Sequence, residues 1–410
     1  MTMAADKQDK VLNVPTLRFP EFSGEWHRTT IGECCSPLEY GMNAPAKEYD
    51  GKNKYIRITD IDEETCTYKY DDVVSPNALL EEKYKVLDND ILFARTGAST
   101  GKAYLYDKKD GLMYYAGFLI RGNVKPDFNS KFVFLQTQTQ KYKKWVDIMS
   151  IRSGQPGINS QEYSSFKFHL PPSKVEQDKI STLFTLLDVR ITTQIRIIEK
   201  LKSLMKGLND YLQDSVPLSY SLSFSDIGED YSGLSGKSAE DFGSGKPYIT
   251  YVCIYANNFV DDDCCDKVSI DRGEKQNIVL KGDMLFTLSS ETPEEVCYGA
   301  VYSGNSTETY LNSFCFGVRN IDGKVFSPYM AYFFNSSRFR REVYPLAQGS
   351  TRLNLQKSDF LKKQFSYPSI DDQHRIFEIL NTYDNKLKVE NQILAHYQHQ
   401  KEFLLRNLLI

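Results

Sequence analysis

The chain has 410 residues, 41% hydrophobic and 25% charged, with a net charge of -4. That length supports two or three packed domains, and the mildly acidic balance excludes a cationic protein that coats nucleic acid non-specifically, while local basic faces stay free to read it. The polar segment Met1 to Lys10 lacks an apolar signal core, no run is apolar enough to span a membrane, and the eight cysteines show no Cys-x-x-Cys spacing, so free thiols in a cytoplasmic protein are expected.

In chain order the pattern predicts an arm over residues 1–25, a β-rich domain over 26–172, a long helix over 173–215, a second β-rich domain over 216–368 and a second long helix over 369–410. Val73-Val74, Ile91 to Phe93 and Phe118 to Ile120 are short apolar runs separated by turn residues, as strands require. Their counterparts are Ile278 to Leu280, Met284 to Phe286 and Phe314 to Val318, and Lys131 to Met149 and Pro328 to Tyr344 read as short helices beside each sheet.

The two halves repeat one another. Tyr55-Ile56-Arg57-Ile58 recurs as Tyr248-Ile249-Thr250-Tyr251, and Asp90-Ile91-Leu92-Phe93 as Asp283-Met284-Leu285-Phe286, both at an offset of 193. Gly154 and Asn159 match Gly349 and Asn354 at 195. Pro172-Ser173 with Gln177 matches Pro368-Ser369 with Gln373, and Ile31-Gly32-Glu33 matches Ile227-Gly228-Glu229, both at 196. Ordered matches with so little drift in offset mark a duplicated unit.

Each unit closes on a helix. Ser173 with Glu176, and Ser369 with Asp372, have capping-box spacing. Beyond them Phe184, Leu187, Ile191, Ile198, Leu201, Met205, Leu208 and Leu212 keep a heptad seam interrupted by Gln194. Leu380, Tyr383, Leu387, Leu394, Tyr397, Leu404 and Leu408 keep a second, interrupted by Glu390 and Lys401. Such seams predict a two-helix coiled coil. A two-fold relation between the repeats makes it antiparallel, with a globular domain at each end. The fold class is thus α+β: two β-rich domains joined by two long helices, with pseudo-two-fold internal repetition.

Several stretches together resemble the specificity subunits of type I restriction–modification enzymes. They are Leu17-Arg18-Phe19-Pro20-Glu21-Phe22 before Trp26, Asp90 to Arg95 followed by Gly97, and Leu170-Pro171-Pro172 followed by Glu176-Gln177 and Ile180. The second copy departs from the first in having Asp372 for Glu176 and Leu288-Ser289 for Arg95-Thr96. The resemblance implies two target-recognition domains, each reading half of a split double-stranded DNA site. It also implies assembly with two modification subunits that methylate adenine from S-adenosylmethionine, with motor-nuclease subunits joining in some assemblies. By the same resemblance the chain itself is non-catalytic and needs no cofactor.

The chemistry missing from the sequence agrees. No Asn/Asp-Pro-Pro-aromatic segment is present to hold a flipped adenine, since Pro171-Pro172 precedes Ser173. Gly97 to Ala103 and Gly233 to Ser238 fall short of the Gly-x4-Gly-Lys-Ser/Thr phosphate loop. Asp261-Asp262-Asp263 lacks calcium-loop spacing, and His396 with His399 reads as a helix-face pair, so no metal site is expected.

Base edges are read by side chains that donate and accept hydrogen bonds, and phosphates by Arg, Lys and hydroxyls. Loops supply these at Arg95, Thr96, Ser99, Thr100 and Lys102, then at Arg152, Gln155 and Asn159, following Lys141, Lys143 and Lys144. The second copy's equivalent is Ser350, Thr351, Arg352 and Asn354, with Arg338, Arg340 and Arg341 nearby. The competing reading is a two-domain scaffold that binds protein partners through its coiled coil without touching DNA.

Overall fold

The structure, a computed structural model, describes residues 13–292, 295–349 and 352–410. The chain forms two compact units, one running through Arg196 and regaining Gln392–Ile410, the other comprising Ile197–Asn391.

In the first unit a four-stranded antiparallel sheet runs in the order Glu39–Tyr40, Leu119–Asn123, Asp90–Ala94, Ala103–Leu105. Every residue of Asp90–Ala94 is buried, because both faces of the strand are covered. Ile91 and Phe93 face a core built with Trp26, Phe132, Leu135, Ile180 and Phe184, and Leu92 and Ala94 face Tyr104, Tyr115 and Leu119. This is the two-residue period of a strand, with neither face left to water. The helical stretch beside the sheet breaks in two, Ser130–Gln136 and Gln140–Met149, capped by Asn129 and Thr139.

The second unit repeats this plan in a five-stranded sheet: Gly228–Ser232, Cys315–Asn320, Met284–Thr287, Gly299–Tyr302, Phe259–Val260. Met284 and Phe286 enter one apolar cluster and Leu285 the other. Short helices Ser327–Phe333 and Ser337–Val343 stand beside it. Equivalent bonds recur down to single atoms. Asp90 accepts the Leu87 N–H at 2.7 Å, and Asp283 the Leu280 N–H at 2.9 Å. Gln177 Oε1 accepts the Asn129 N–H at 3.0 Å, and Gln373 Oε1 the Phe326 N–H at 2.9 Å. Tyr55 and Tyr248 occupy matching parallel ladders, facing Tyr114 and Tyr310.

The long helices span Lys174–Ser215 and Ile370–Leu408. In the first unit Ile180 and Phe184 of one helix share a core with Leu405 and Leu408 of the other, and in the second Leu208 and Leu212 pack with Ile376 and Leu380. Each unit therefore joins the beginning of one helix to the end of the other. All the apolar seam residues are buried or half-buried. Lys401, a polar interruption of the seam, pairs with Asp188 at 2.8 Å, and Lys131 reaches the same carboxylate at 2.6 Å. Burial raises the pKa of Asp188, and the two ammonium groups outweigh it, leaving a net lowering.

Some sequence-based expectations are corrected. Ile31-Gly32-Glu33 and Ile227-Gly228-Glu229 are not equivalent: Ile31 opens the helix Ile31–Cys34, whereas Ile227 closes Phe224–Ile227. The true counterparts are the capping residues Thr30 and Ser223, each in a box with the acid three residues on, Glu33 and Asp226. Glu176 does not turn back to cap its helix, since its carboxylate takes Arg18 instead. Ile278 to Leu280 forms no strand, and only Val279 makes a bridge, to Thr309. Phe118 and Phe314 precede their strands and are exposed. Cys253 and Cys264 are not free but joined in a disulfide, brought to a Cα separation of 6.1 Å by the helix Tyr251–Ala256 and the turn Asp262–Cys264. Among the described residues no helix is long and apolar enough to cross a membrane.

Candidate nucleic-acid interface

The buried strand Asp90–Ala94 delivers Arg95 to the end of the first unit's sheet, and the chain then turns through Gly97–Ser99. Gly97 has φ +69° and Gly101 φ +92°, and a Cβ on Gly101 would lie 2.5 Å from Val146 Cγ1. Both conformations favour glycine, and at 101 nothing larger fits.

The second predicted loop closes directly onto this turn. Arg95 C=O accepts the Ile158 N–H at 2.9 Å, Pro156 C=O accepts the Gly97 N–H at 2.9 Å, and Thr96 bridges Gly157. Tyr163 ties the turn from below, donating to Ala94 C=O at 2.6 Å and accepting the Gly101 N–H at 3.1 Å. Residues 95–102 and 152–159, far apart in sequence, are thus one surface.

Their side chains divide by task. The Arg95 guanidinium lies over the Tyr40 ring, 5.0 Å from its centroid, and its buried Nε has no hydrogen-bond partner among the described residues. Burial alone would raise the Tyr40 pKa, but bonds from Ser160 and the charge of Arg95 bring it below its ordinary value. Gln155 is exposed, its Nε2 lying where a Cβ on Gly97 would meet it, and Thr96 and Ser99 are half-buried. Thr100 donates to Gly97 C=O at 2.8 Å, so its hydroxyl hydrogen serves the turn. Lys102 pairs with the exposed Glu63 at 3.0 Å, a contact of the weak surface kind.

Arg152 and Asn159 do structural work. Arg152 donates to both Glu162 oxygens, at 2.7 and 2.6 Å, and to Met149 and Ile151 carbonyls. Asn159 caps the helix Ser160–Ser164 in a reciprocal box with Glu162. Of the lysines before this loop, Lys141 is partly desolvated, which lowers its pKa.

The second unit builds the same end with other residues. Leu288 takes the place of Arg95: its N–H donates to Phe314 C=O at 2.9 Å and its C=O accepts from Leu355 N–H at 2.8 Å. Arg95 makes the corresponding bonds with Phe118 and Ile158. Ser289–Ser290 then pairs with Leu353–Leu355, which pairs with Ala347–Gln348. Asn354 is exposed on this ribbon, and Arg352 is exposed beside a 360 Å³ cavity lined by Tyr251, Tyr255, Ser289, Glu291 and Phe314. Ser350 and Thr351 lie outside the described residues.

This bonding corrects the repeat register here. Leu355 answers to Ile158, so Gln356, at the N-cap position of Lys357–Lys362 though without a side-chain cap bond, is the counterpart of Asn159, and Asn354 stands two residues earlier. Arg340 is also not a surface charge: it is buried, donates to Cys297 C=O at 2.8 Å and Val296 C=O at 2.5 Å, and lies 4.7 Å from the Tyr298 ring centroid. Arg338 donates to Ser366 C=O at 2.8 Å.

Sequence reasoning missed Arg18. It grips the buried Glu176 through two bonds, at 2.7 and 2.8 Å, and the Trp26 indole N–H reaches the same carboxylate at 3.3 Å. The arm segment quoted for its resemblance carried this residue, but its partner lies far along the chain.

The family model for the type I restriction modification DNA specificity domain matches the chain twice, over residues 25–203 and 225–396. The chain belongs to this family. Solved structures agree in fold. The type I restriction-modification system S subunit from M. genitalium is 14% identical at a TM-score of 0.57, with 97% of this chain and 99% of that one covered. A chain from a study of complex assembly and conformational transition of the type I R-M system is also 14% identical, at 0.55, covering 93% of this chain and 96% of that one. The duplicated specificity domains thus account for both units.

Proposed function

We propose that this specificity-domain protein is the DNA-reading subunit of a type I restriction–modification assembly, each unit reading one half of a split double-stranded site. One observation carries the reading: both units end their central strand in the same bonded loop frame, yet fill it differently, with Arg95 over Tyr40 in one and Leu288 at the same place in the other, where Arg352 lines the neighbouring cavity instead. A shared frame with exchanged side chains suits two related domains that read different bases.

In the first unit Arg95, Thr96, Ser99 and Gln155 are the candidates for base edges, and Thr100 and Lys102 for the backbone. In the second they are Ser350, Thr351, Arg352 and Asn354. Arginine to guanine and amides to adenine are the pairings such side chains make in the major groove. The long helices set the separation of the half-sites and dock two modification subunits, with motor-nuclease subunits joining in a restricting complex. The chain contributes recognition, and its partners supply methyl transfer and cleavage, in the cytoplasm.

The test is co-expression with the modification subunits and sequencing of the methylated bases in the host genome. Replacing residues 26–172 by the equivalent domain of a relative should change one half of the methylated site. Change in both halves, or methylation independent of this chain, would refute the reading and favour a scaffold that binds only proteins.

A further inference from the structure

Two phenylalanines stand out against the cores they border. Phe118 is 58% exposed and Phe314 57% exposed. Among the described residues neither belongs to an apolar cluster of its unit. A solvated phenyl ring contributes little to folding, and one exposed apolar side chain alone needs no explanation. The same exposure twice, at equivalent positions of diverged units, does need one.

The equivalence is set by backbone bonds. Phe118 lies in a turn closed by Leu119 N–H to Ala116 C=O at 2.8 Å, and Phe314 in one closed by Cys315 N–H to Asn312 C=O at 3.0 Å. Each ring is on the third residue of its turn. Each phenylalanine C=O accepts the N–H of the residue leaving the central strand, Arg95 at 3.0 Å and Leu288 at 2.9 Å. The ring therefore stands beside the candidate reading loops in both units, and Phe314 also lines the cavity with Arg352. The neighbour changed from arginine to leucine between the copies, while the phenyl ring did not.

A phenyl ring offers no hydrogen bond. On a major-groove surface the one apolar group that varies with sequence is the thymine C5 methyl. Resting on the function proposed above, we infer that Phe118 and Phe314 are specificity-determining residues, each packing its ring against a thymine methyl of its own half-site. Hydrogen-bonding side chains next to them read the polar edges, and the ring senses the methyl.

The experiment uses the full chain assembled with its modification subunits, on duplexes carrying the methylated site. Replacing thymine by uracil throughout the first half-site removes only methyl groups. Wild-type binding should weaken about fourfold for each contacted methyl, the weight of one buried carbon. Phe118→Ala should bind the thymine duplex about tenfold more weakly than wild type, within the range of a base contact. It should not distinguish thymine from uracil, and Phe118→Leu should recover part of the discrimination. Phe314→Ala should do the same for the second half-site only. Both variants should keep the wild-type melting temperature, since the rings are largely solvated.

A wild-type complex indifferent to uracil would overturn the inference, as would a Phe118→Ala variant that still loses the wild-type factor. A melting temperature that falls together with uniform loss on all DNA would also overturn it, showing a structural role. Failure of the underlying reading looks different: the wild-type complex would then show no preference for its own site.

Discussion

Removing Arg18 should destabilise the first unit far more than its place on an N-terminal arm suggests. Glu176 is 1% exposed, and Arg18→Ala deletes the two charge-assisted bonds to it, leaving the Trp26 indole at 3.3 Å. Truncating one side of a buried ion pair costs ~3–5 kcal/mol because the other charge stays buried. The Arg18 side chain is 14% exposed, so water can partly reach the gap, and the lower end, about 3 kcal/mol, is expected. For a unit of this size that is a fall of ~6–12 °C in Tm. The double variant Arg18→Met with Glu176→Leu removes both charges and should lie within ~1 kcal/mol of wild type. The assay is urea and thermal unfolding followed by tryptophan fluorescence. Trp26 and Trp145 are the chain's two tryptophans and both belong to the first unit, so the signal isolates it. The second unit offers a contrast. Asp372, in the place of Glu176, accepts from the Ser369 hydroxyl, which in turn accepts the Asp372 N–H as a helix cap, and Ser369→Ala should cost ~1 kcal/mol. An Arg18→Ala loss below ~1 kcal/mol, or a double variant as damaged as the summed singles, would refute the buried-pair reasoning.

Arg95→Ala should weaken specific binding by ~1–3 kcal/mol and relax one position of one half-site, read by competition binding against single-base variants. Asn159→Ala should instead cost ~1 kcal/mol of stability through its helix cap and leave base preference intact, and a change in the methylated sequence would return Asn159 to the reading set. Inserting seven residues into each long helix adds ~10 Å of helix while keeping the seam in phase. The gap between half-sites, read by genome methylation sequencing, should grow by ~3 base pairs, and an unchanged gap would show that something else sets the spacing.

The duplication, the α+β class and the two long helices were legible because they rest on local pattern. A strand buried on both faces must read as Ile91 to Phe93 does, and a helix packed along one stripe must repeat Phe184, Leu187 and Ile191. The repeat register was legible where a residue does the same buried job in both copies, as with Asp90 and Asp283 or Gln177 and Gln373. It slipped at Ile227 and Asn354, where a short motif coincided by identity without sharing a hydrogen-bond position.

The candidate site divides along the same line. Residue type put Arg95, Gln155, Arg152 and Asn159 alike among the candidate readers, because an arginine engaged by Glu162 looks the same in sequence as a free one. The exposed phenylalanines were read as strand, since hydrophobicity reports a tendency to be buried, and the turn that carries each ring is tied through the phenylalanine C=O to a distant strand end, at Arg95 or Leu288. Local periodicity by itself determined the duplicated architecture and its helices, because periodicity is written residue by residue. Which polar side chains are spent inside the fold and which stay exposed was decided by tertiary structure, because partners such as Arg18 and Glu176 lie 158 positions apart in the chain and meet only in the folded unit.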